Sequence, residues 1–292
     1  MIEPYGGGRL VLKVVCGSRA HGLSTEESDT DTRGVCIPGG RALLGLSTFE
    51  QEESEGGDHV IFAMAKFVRL ALQGNPNIIE TLYTEGEHLL LLDGDYGKPL
   101  RDIRNEFLSR QVGERFMRYG LDQLKRMERH HRWLKSPPPK KPGPEDFGAM
   151  RDTGRYRFPN SDAEKTYRAA LKHFNEYERW RKGRNPKRAG LEERYGYDTK
   201  HAMHLCRLLK MGAEILTECV VAVHRSDAEW LLGIRRGAMP YDDLLAWAQT
   251  EMARLPGLMA NSKLPSQPNA RLAEDMLVEL QARFLAETSG KR

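Results

Sequence analysis

The chain is poor in cysteine and has no long apolar run, and each shortage narrows what it can be. Its four cysteines, Cys16, Cys36, Cys206 and Cys219, stand singly in apolar surroundings with no metal-ligand spacing. They read as reduced core thiols, which speaks against a disulfide scaffold and a structural zinc site. No apolar stretch approaches the roughly 20 residues that cross a bilayer, so no membrane association is expected. The N-terminus lacks the basic-then-apolar pattern of a secretory signal, and a cytoplasmic location is expected. Internal repeats are absent as well.

What is present is enough chain for a substantial core, 292 residues in one large or two moderate domains. Net charge is only +4, but it is unevenly spread. Residues 101–210 hold 28 Lys and Arg against 15 Asp and Glu, while the remainder holds 17 against 26. A basic middle fits a region that meets polyanions, and it fits a set of solvated helix faces equally well.

Residues 1–96 follow an α/β pattern. Leu10 to Cys16 is a short, β-branched apolar run, the mark of a buried strand. A short Gly-Ser helix is expected next, then a second strand over Asp31 to Ile37. A polar acidic loop over Gln51 to Gly57 leads to a third strand over Asp58 to Phe62. Met64 to Gln73 has amphipathic helical spacing and is broken by Gly74-Asn75-Pro76-Asn77. Ile78 to Tyr83 and His88 to Leu92 are apolar but too short to type.

From 97 to 292 the pattern turns helical and basic. Arg104 to Trp133 has room for two helices. Ser136 to Pro144 is proline-rich and reads as an exposed loop, mobile as far as Asn160. Further helices are expected over Ser161 to Lys182, capped by Ser161, and over Asp198 to Glu218. Ser226 to Ile234, Pro240 to Leu255 and Ala270 to Ala286 complete the set. The expected fold class is α+β: an α/β core over 1–96, then a helical domain over 97–292 with its mobile loop at 135–160.

The segment Gly17-Ser18-Arg19-Ala20-His21-Gly22 directly follows the first strand, and Ser28-Asp29-Thr30-Asp31-Thr32-Arg33-Gly34 comes soon after. A Gly-Ser turn that opens a helix offers unpaired N–H groups to phosphate oxygens. Asp29 and Asp31, two residues apart, share one face if they lie on a strand. A phosphate cradle facing two carboxylates points to Mg²⁺-dependent nucleotide chemistry, because hard cations take oxygen ligands. Without the Gly-Ser turn, Ser-Asp-x-Asp would be an ordinary polar turn.

Gly17-Ser18, ten intervening residues, then Asp29-x-Asp31 resembles the signature of the DNA polymerase beta-type nucleotidyltransferase superfamily. The longer wording, GSRAHGLSTEESDTDTRGV, is similar to its bacterial and phage branch, which includes RNA-repair-associated members. NPNIIE at 75–80 and GYDTKHAMH at 196–204 resemble the same branch. The resemblance implies a nucleotidyltransferase core with a mixed sheet, and a nucleoside triphosphate such as ATP as donor. It implies Mg²⁺ or Mn²⁺ as cofactor and an acceptor hydroxyl, with RNA (a tRNA or an RNA end) first in line.

On this resemblance Asp29 and Asp31 are metal ligands, joined by a third carboxylate from a neighbouring strand. Asp58 is the choice because it precedes a β-like run; Glu52, Glu53 and Glu55 compete for the role. Gly17, Ser18 and Arg19 would hold phosphates, with His21 close enough in sequence to reach them too; for Arg19 the alternative is that it only covers the helix end. Arg33 either orients the acids or touches substrate, and Glu80 reads as structural. Lys200, His204 and Arg207 fall at i, i+4 and i+7 of a helix and form one basic stripe. Spacing alone leaves a solvated face open. The resemblance makes Lys200 and His204 candidates for the triphosphate or the acceptor's phosphate. Three other readings stand beside this one: a non-catalytic nucleotide- or RNA-binding module, an antitoxin-like partner protein, and transfer to a protein hydroxyl.

Overall fold

The computed structural model describes residues 4–26, 28–184 and 186–289. β1 (Arg9–Cys16) is buried from Val11 to Cys16 except at Lys13, as befits a near-continuous apolar run at the centre of a sheet. The chain continues through α1 (Gly17–Ala20), β2 (Asp31–Ile37), α2 (Gly40–Leu44), β3 (Gln51–Glu53) and β4 (His59–Ala63). Next come α3 (Met64–Leu72), α4 (Pro76–Tyr83), β5 (Leu89–Leu92) and α5 (Gly97–Asp102). The five strands make one mixed sheet in the order β3-β4-β2-β1-β5. β2 and β4 run parallel; the other pairs are antiparallel.

Gln51–Glu53 is therefore an edge strand and not part of a loop. It pairs with Val60 to Phe62, and because all three residues face solvent it carries no apolar alternation to betray it. β4 starts one residue later than expected and leaves Asp58 in the turn before it. The untyped segments resolve into a helix and a strand. Asn75 caps α4 by accepting from the Asn77 N–H, and Pro76 takes the first turn, where its missing N–H costs nothing.

α6 (Arg110–Lys135) is a single 26-residue helix where two were expected. The segment expected to be mobile holds a hairpin of β6 (Met150–Asp152) and β7 (Arg155–Arg157). α7 (Ser161–Lys182) is capped by Asn160, not Ser161: the Asn160 side chain accepts from the Ala163 N–H at 2.8 Å. α8 (Pro186–Tyr195) carries little periodicity and was not expected. α9 (Thr199–Glu218), α10 (Ala228–Arg235), α11 (Tyr241–Ala253), α12 (Leu255–Asn261) and α13 (Ala270–Ser289) complete the fold. No helix among the described residues is long and apolar enough to cross a membrane. The four cysteines are free thiols, as their isolated positions imply.

Among the described residues two hydrophobic cores form. The first joins the sheet to α3 and α4, and adds Leu208, Met211 and Ile215 of α9 and Ala273, Met276, Leu280 and Phe284 of α13. It thus draws on residues either side of position 97. The second joins Met117 and Leu124 of α6 to Leu205 and Leu209 of α9, Leu231 of α10 and Leu244 of α11. α9 belongs to both cores, each buried Leu or Met contributing about 1.5–3 kcal/mol. Its crossing with α6 is close because glycines line it. A Cβ at Gly113 would come within 2.4 Å of the Leu216 side chain, and one at Gly212 within 2.6 Å of Met117. Glycine weakens a helix by roughly 1 kcal/mol, and here it permits the approach that builds the second core.

Candidate active site

At the end of β1 the backbone turns at Gly17 into the left-handed region, φ +67°. α1 closes on itself, with Leu23 N–H donating to the Ser18 carbonyl at 2.8 Å and His21 N–H to that of Gly17 at 3.2 Å. Cys16 pairs with Asp31, the first residue of β2, so the turn and the acid lie side by side. A Cβ on Gly17 would stand 2.5 Å from the Asp31 Oδ2. Glycine is needed here twice, for its backbone angle and for the space the carboxylate fills.

Asp29 is not on a strand. It lies exposed in the irregular stretch before β2, so strand parity does not set its direction. Its loop is instead held by Arg19, whose guanidinium donates to the carbonyls of Ser28 (2.8 Å) and Asp29 (3.3 Å). Ser18 is half-buried between Gly17 and Arg19. Asp58 comes beside Asp31 through the parallel pairing of β2 with β4. Thr32 pairs with His59, the Thr32 N–H donates to the Asp58 carbonyl at 2.7 Å, and the Thr32 hydroxyl meets His59 Nδ1 at 2.9 Å. The Asp58 carboxylate rests near Gly56 of its own turn, where a Cβ would meet it at 3.0 Å. Glu52 and Glu53 sit one strand further out on β3, and Glu55 in the following turn; all three are exposed.

The three acids thus stand on one strand, Asp31 of β2, on the turn that enters the adjacent strand, Asp58, and on one tethered loop, Asp29. Among the described residues no three His, Cys, Asp or Glu side chains are gathered into a ready-made metal cage. Mg²⁺ commonly relies on one or two carboxylates plus substrate phosphates, and the hard-oxygen donors beside a glycine turn fit that style of site.

Behind the turn lies an arrangement the sequence did not disclose. His21 Nδ1 donates to the Val223 carbonyl at 3.0 Å, and its Nε2 faces the Glu80 carboxylate at 3.4 Å. The other Glu80 oxygen accepts from Arg207, which also touches the Met211 sulfur. His21, Glu80 and Arg207 are 2%, 4% and 6% exposed. Burial works to raise the Glu80 pKa, but Arg207 and His21 outweigh it and hold the carboxyl well below the usual range. Burial, then Arg207, pushes the His21 pKa down against the pull of Glu80. The three residues come from the three motifs GSRAHG, NPNIIE and KHAMHLCR, so one buried network joins the Gly17 turn to α4 and α9. Glu80 is buried and held by ion pairs, and Arg207 is no member of a solvated stripe.

The segment between α9 and α10 completes the support. Arg225 N–H donates to the His21 carbonyl at 3.1 Å, while its guanidinium takes Glu214 in a two-pronged grip (2.6 Å for one prong) and Asp227 at 2.9 Å. His224 packs on Gly22, φ +71°, where a Cβ would come within 2.8 Å of its ring. No motif marks these residues as supports of the turn, because His21 and Gly22, the groups they hold there, lie about 200 residues away in the chain. At the start of α9, Asp198 accepts from the N–H groups of Lys200 and His201, each at 3.0 Å. Lys200 and His204 lie within electrostatic reach of one another, and His204 also of His21. Burial first, then Arg207 and His21, depresses the His204 pKa far below its ordinary value, so at pH 7 it offers a neutral imidazole and not a positive charge.

The sequence model of a family described as the RNA repair pathway DNA polymerase beta family matches residues 2–279. The chain belongs to that family. It is therefore a polymerase beta-type nucleotidyltransferase relative linked by family to RNA repair, and the resemblance carried by Gly17-Ser18 and Asp29-x-Asp31 holds for nearly the whole chain. A protein of Enterobacteria phage T4, described as an uncharacterized 38.9 kDa protein in the nrdC-mobD intergenic region, is 28% identical over 111 residues. The match covers 34% of this chain and 33% of the phage protein, so it spans about a third of that relative's length. No solved structure matches the chain.

Proposed function

We propose that this protein transfers a nucleoside monophosphate from a nucleoside triphosphate to a hydroxyl on RNA. The observation that carries the reading is the Asp31 carboxylate lying against the Gly17 turn, with the Asp29 loop tied to that turn by Arg19. Asp29 and Asp31, with Asp58 from the turn before the adjacent strand, would hold Mg²⁺ or Mn²⁺, which when bound neutralises charge developing on the phosphoryl oxygens. Gly17 and Ser18 would meet the donor's phosphates. Arg19 would orient the Asp29 loop and can reach the same phosphates from its edge. Lys200 and His204, at the start of α9, would meet the triphosphate or the acceptor's phosphate. The acceptor oxygen forms a bond to the α-phosphorus as the bond to pyrophosphate breaks, and the acceptor's proton passes to solvent or a nearby base.

The test is incubation of the protein with each α-labelled nucleoside triphosphate, Mg²⁺ or Mn²⁺, and total cellular RNA. Label in RNA that disappears in Asp29→Asn/Asp31→Asn supports the reading. Label that survives the double substitution, or that lands on polypeptide alone, overturns it.

A further inference from the structure

Neither hydrophobic core takes a residue from 134–194 among the described residues. This part of the chain, with the end of α6, forms an arm of its own. From 136 to 184 it holds 12 Lys and Arg against 7 Asp and Glu, and α7 buries none of its side chains. A 22-residue helix that adds nothing to a core is kept for what its surface touches.

An aromatic cluster fastens the arm. Trp133, 4% exposed, donates its indole N–H to His173 at 3.0 Å and packs edge-on against Tyr177. His130 stacks on Trp133 with ring centres 5.6 Å apart and meets Trp180 at 5.2 Å. A cleft of about 390 Å³ opens beside this cluster, lined by Arg126, Arg129, His130, Trp133, Arg179 and Trp180. Glu176, also on its wall, pairs with Arg129 at 3.6 Å and bridges α6 to α7. Arg126 and Arg179 are exposed and make no ion pair among the described residues. A second groove of about 360 Å³ continues along α7 past Arg168 and Lys172, sharing Glu176 and Arg179 with the first. Burial pushes the His130 pKa down to about 4, so its ring is neutral at pH 7. His130 on the cleft wall also lies within electrostatic reach of His201 and Asp198 at the start of α9.

We propose that the cleft between α6 and α7 binds single-stranded RNA. Phosphates lie along Arg126 and Arg179 and continue towards Lys172, and a base rests against the half-exposed Trp180. A charged groove with an aromatic wall is how proteins track a flexible strand without reading its sequence. The proposal rests on RNA being the acceptor, and places the strand leading to the reacting end on the arm.

The test is fluorescence anisotropy of a 5′-labelled single-stranded RNA of about 12 nucleotides, within the range one such surface covers, at several salt concentrations and without nucleoside triphosphate. Arg126→Glu/Arg179→Glu is expected to weaken binding roughly tenfold or more. It should lower the slope of log affinity against log salt by about 1.4, the contribution of two phosphates on a single strand. Arg126→Lys/Arg179→Lys is expected to keep most of the binding. RNA-dependent quenching of tryptophan fluorescence should fall in Trp180→Phe. Unchanged affinity and slope in the Glu double variant would overturn the proposal, as would equal competition by duplex DNA of the same length. Asp29→Asn/Asp31→Asn separates the two readings. RNA binding retained by that variant but lost by the arm variant supports the arm, even if no RNA accepts label. Label transfer that needs the aspartates while the arm variant still binds RNA normally overturns the arm and leaves the proposed reaction standing.

Discussion

The Asp31 carboxylate occupies the space over the Gly17 Cα where any other residue would place its side chain. Gly17→Ala must therefore move the acid as well as adopt a φ of +67°, a conformation costing an L-residue roughly 1–2 kcal/mol. The expected outcome is a lower unfolding midpoint together with loss of nucleotide transfer, beyond what destabilisation alone produces. Thermal unfolding and the labelling assay, run on the same preparation below its transition, separate the two effects.

Arg19 spans two carbonyl groups with its planar fork, a task a lysine ammonium performs poorly. Arg19→Lys is expected to resemble Arg19→Ala: transfer falls roughly tenfold, mainly through a higher KM for the triphosphate, with the unfolding midpoint little changed. Full activity in Arg19→Lys would show that only charge matters at this position.

Glu80 is the sole carboxylate paired with the buried Arg207 among the described residues. Glu80→Gln leaves that guanidinium without a counter-charge, and a loss of about 3–5 kcal/mol is expected in denaturant unfolding. Replacing both partners, as Glu80→Leu/Arg207→Met, should cost less than the single change, because no charge is then stranded. Stability of the double variant below that of Glu80→Gln would contradict this account.

Stability should also fall in acid in two steps. His130 and His204 have folded pKa values below their unfolded value of about 6.5, so an unfolded chain binds protons that the folded one refuses. Their contribution is complete above pH ~6.5 and is lost as pH falls towards the folded values, about 4 for His130. Glu80, also depressed, keeps its contribution above pH ~4.3 and loses it only below. Unfolding free energy measured from pH 7 to 3 should flatten in His130→Gln between 6.5 and 4, while Glu80→Gln removes the acid-end loss and, by taking away the carboxylate that raises the His21 pKa, also alters the curve below 6.5.

Much of the Gly17 turn was legible in the sequence because it is local. A β-branched run ending in Gly-Ser reads as a strand and a turn from its own residues, and the next strand, starting fifteen residues after Cys16, is its nearest partner in the chain. The same holds for α9, whose cap Asp198 and apolar spacing lie within its own segment. Signals failed where they depended on distant neighbours. β3 is polar on both faces and became a strand only because β4 offered it a ladder. α6 stayed one helix through its glycines because α9 packs into them.

The sequence by itself determined the chemistry on offer: a glycine turn, two acids two residues apart, and a basic middle. Tertiary structure decided which charges are spent on the fold. Arg207 looks in sequence like its neighbours Lys200 and His204. Glu80, 127 residues away, draws it into the core, and the Val223 carbonyl, 202 residues from His21, fixes the ring between them. Local sequence cannot distinguish such a residue from a solvated one, since its burial is tolerable only when a remote partner supplies the opposite charge.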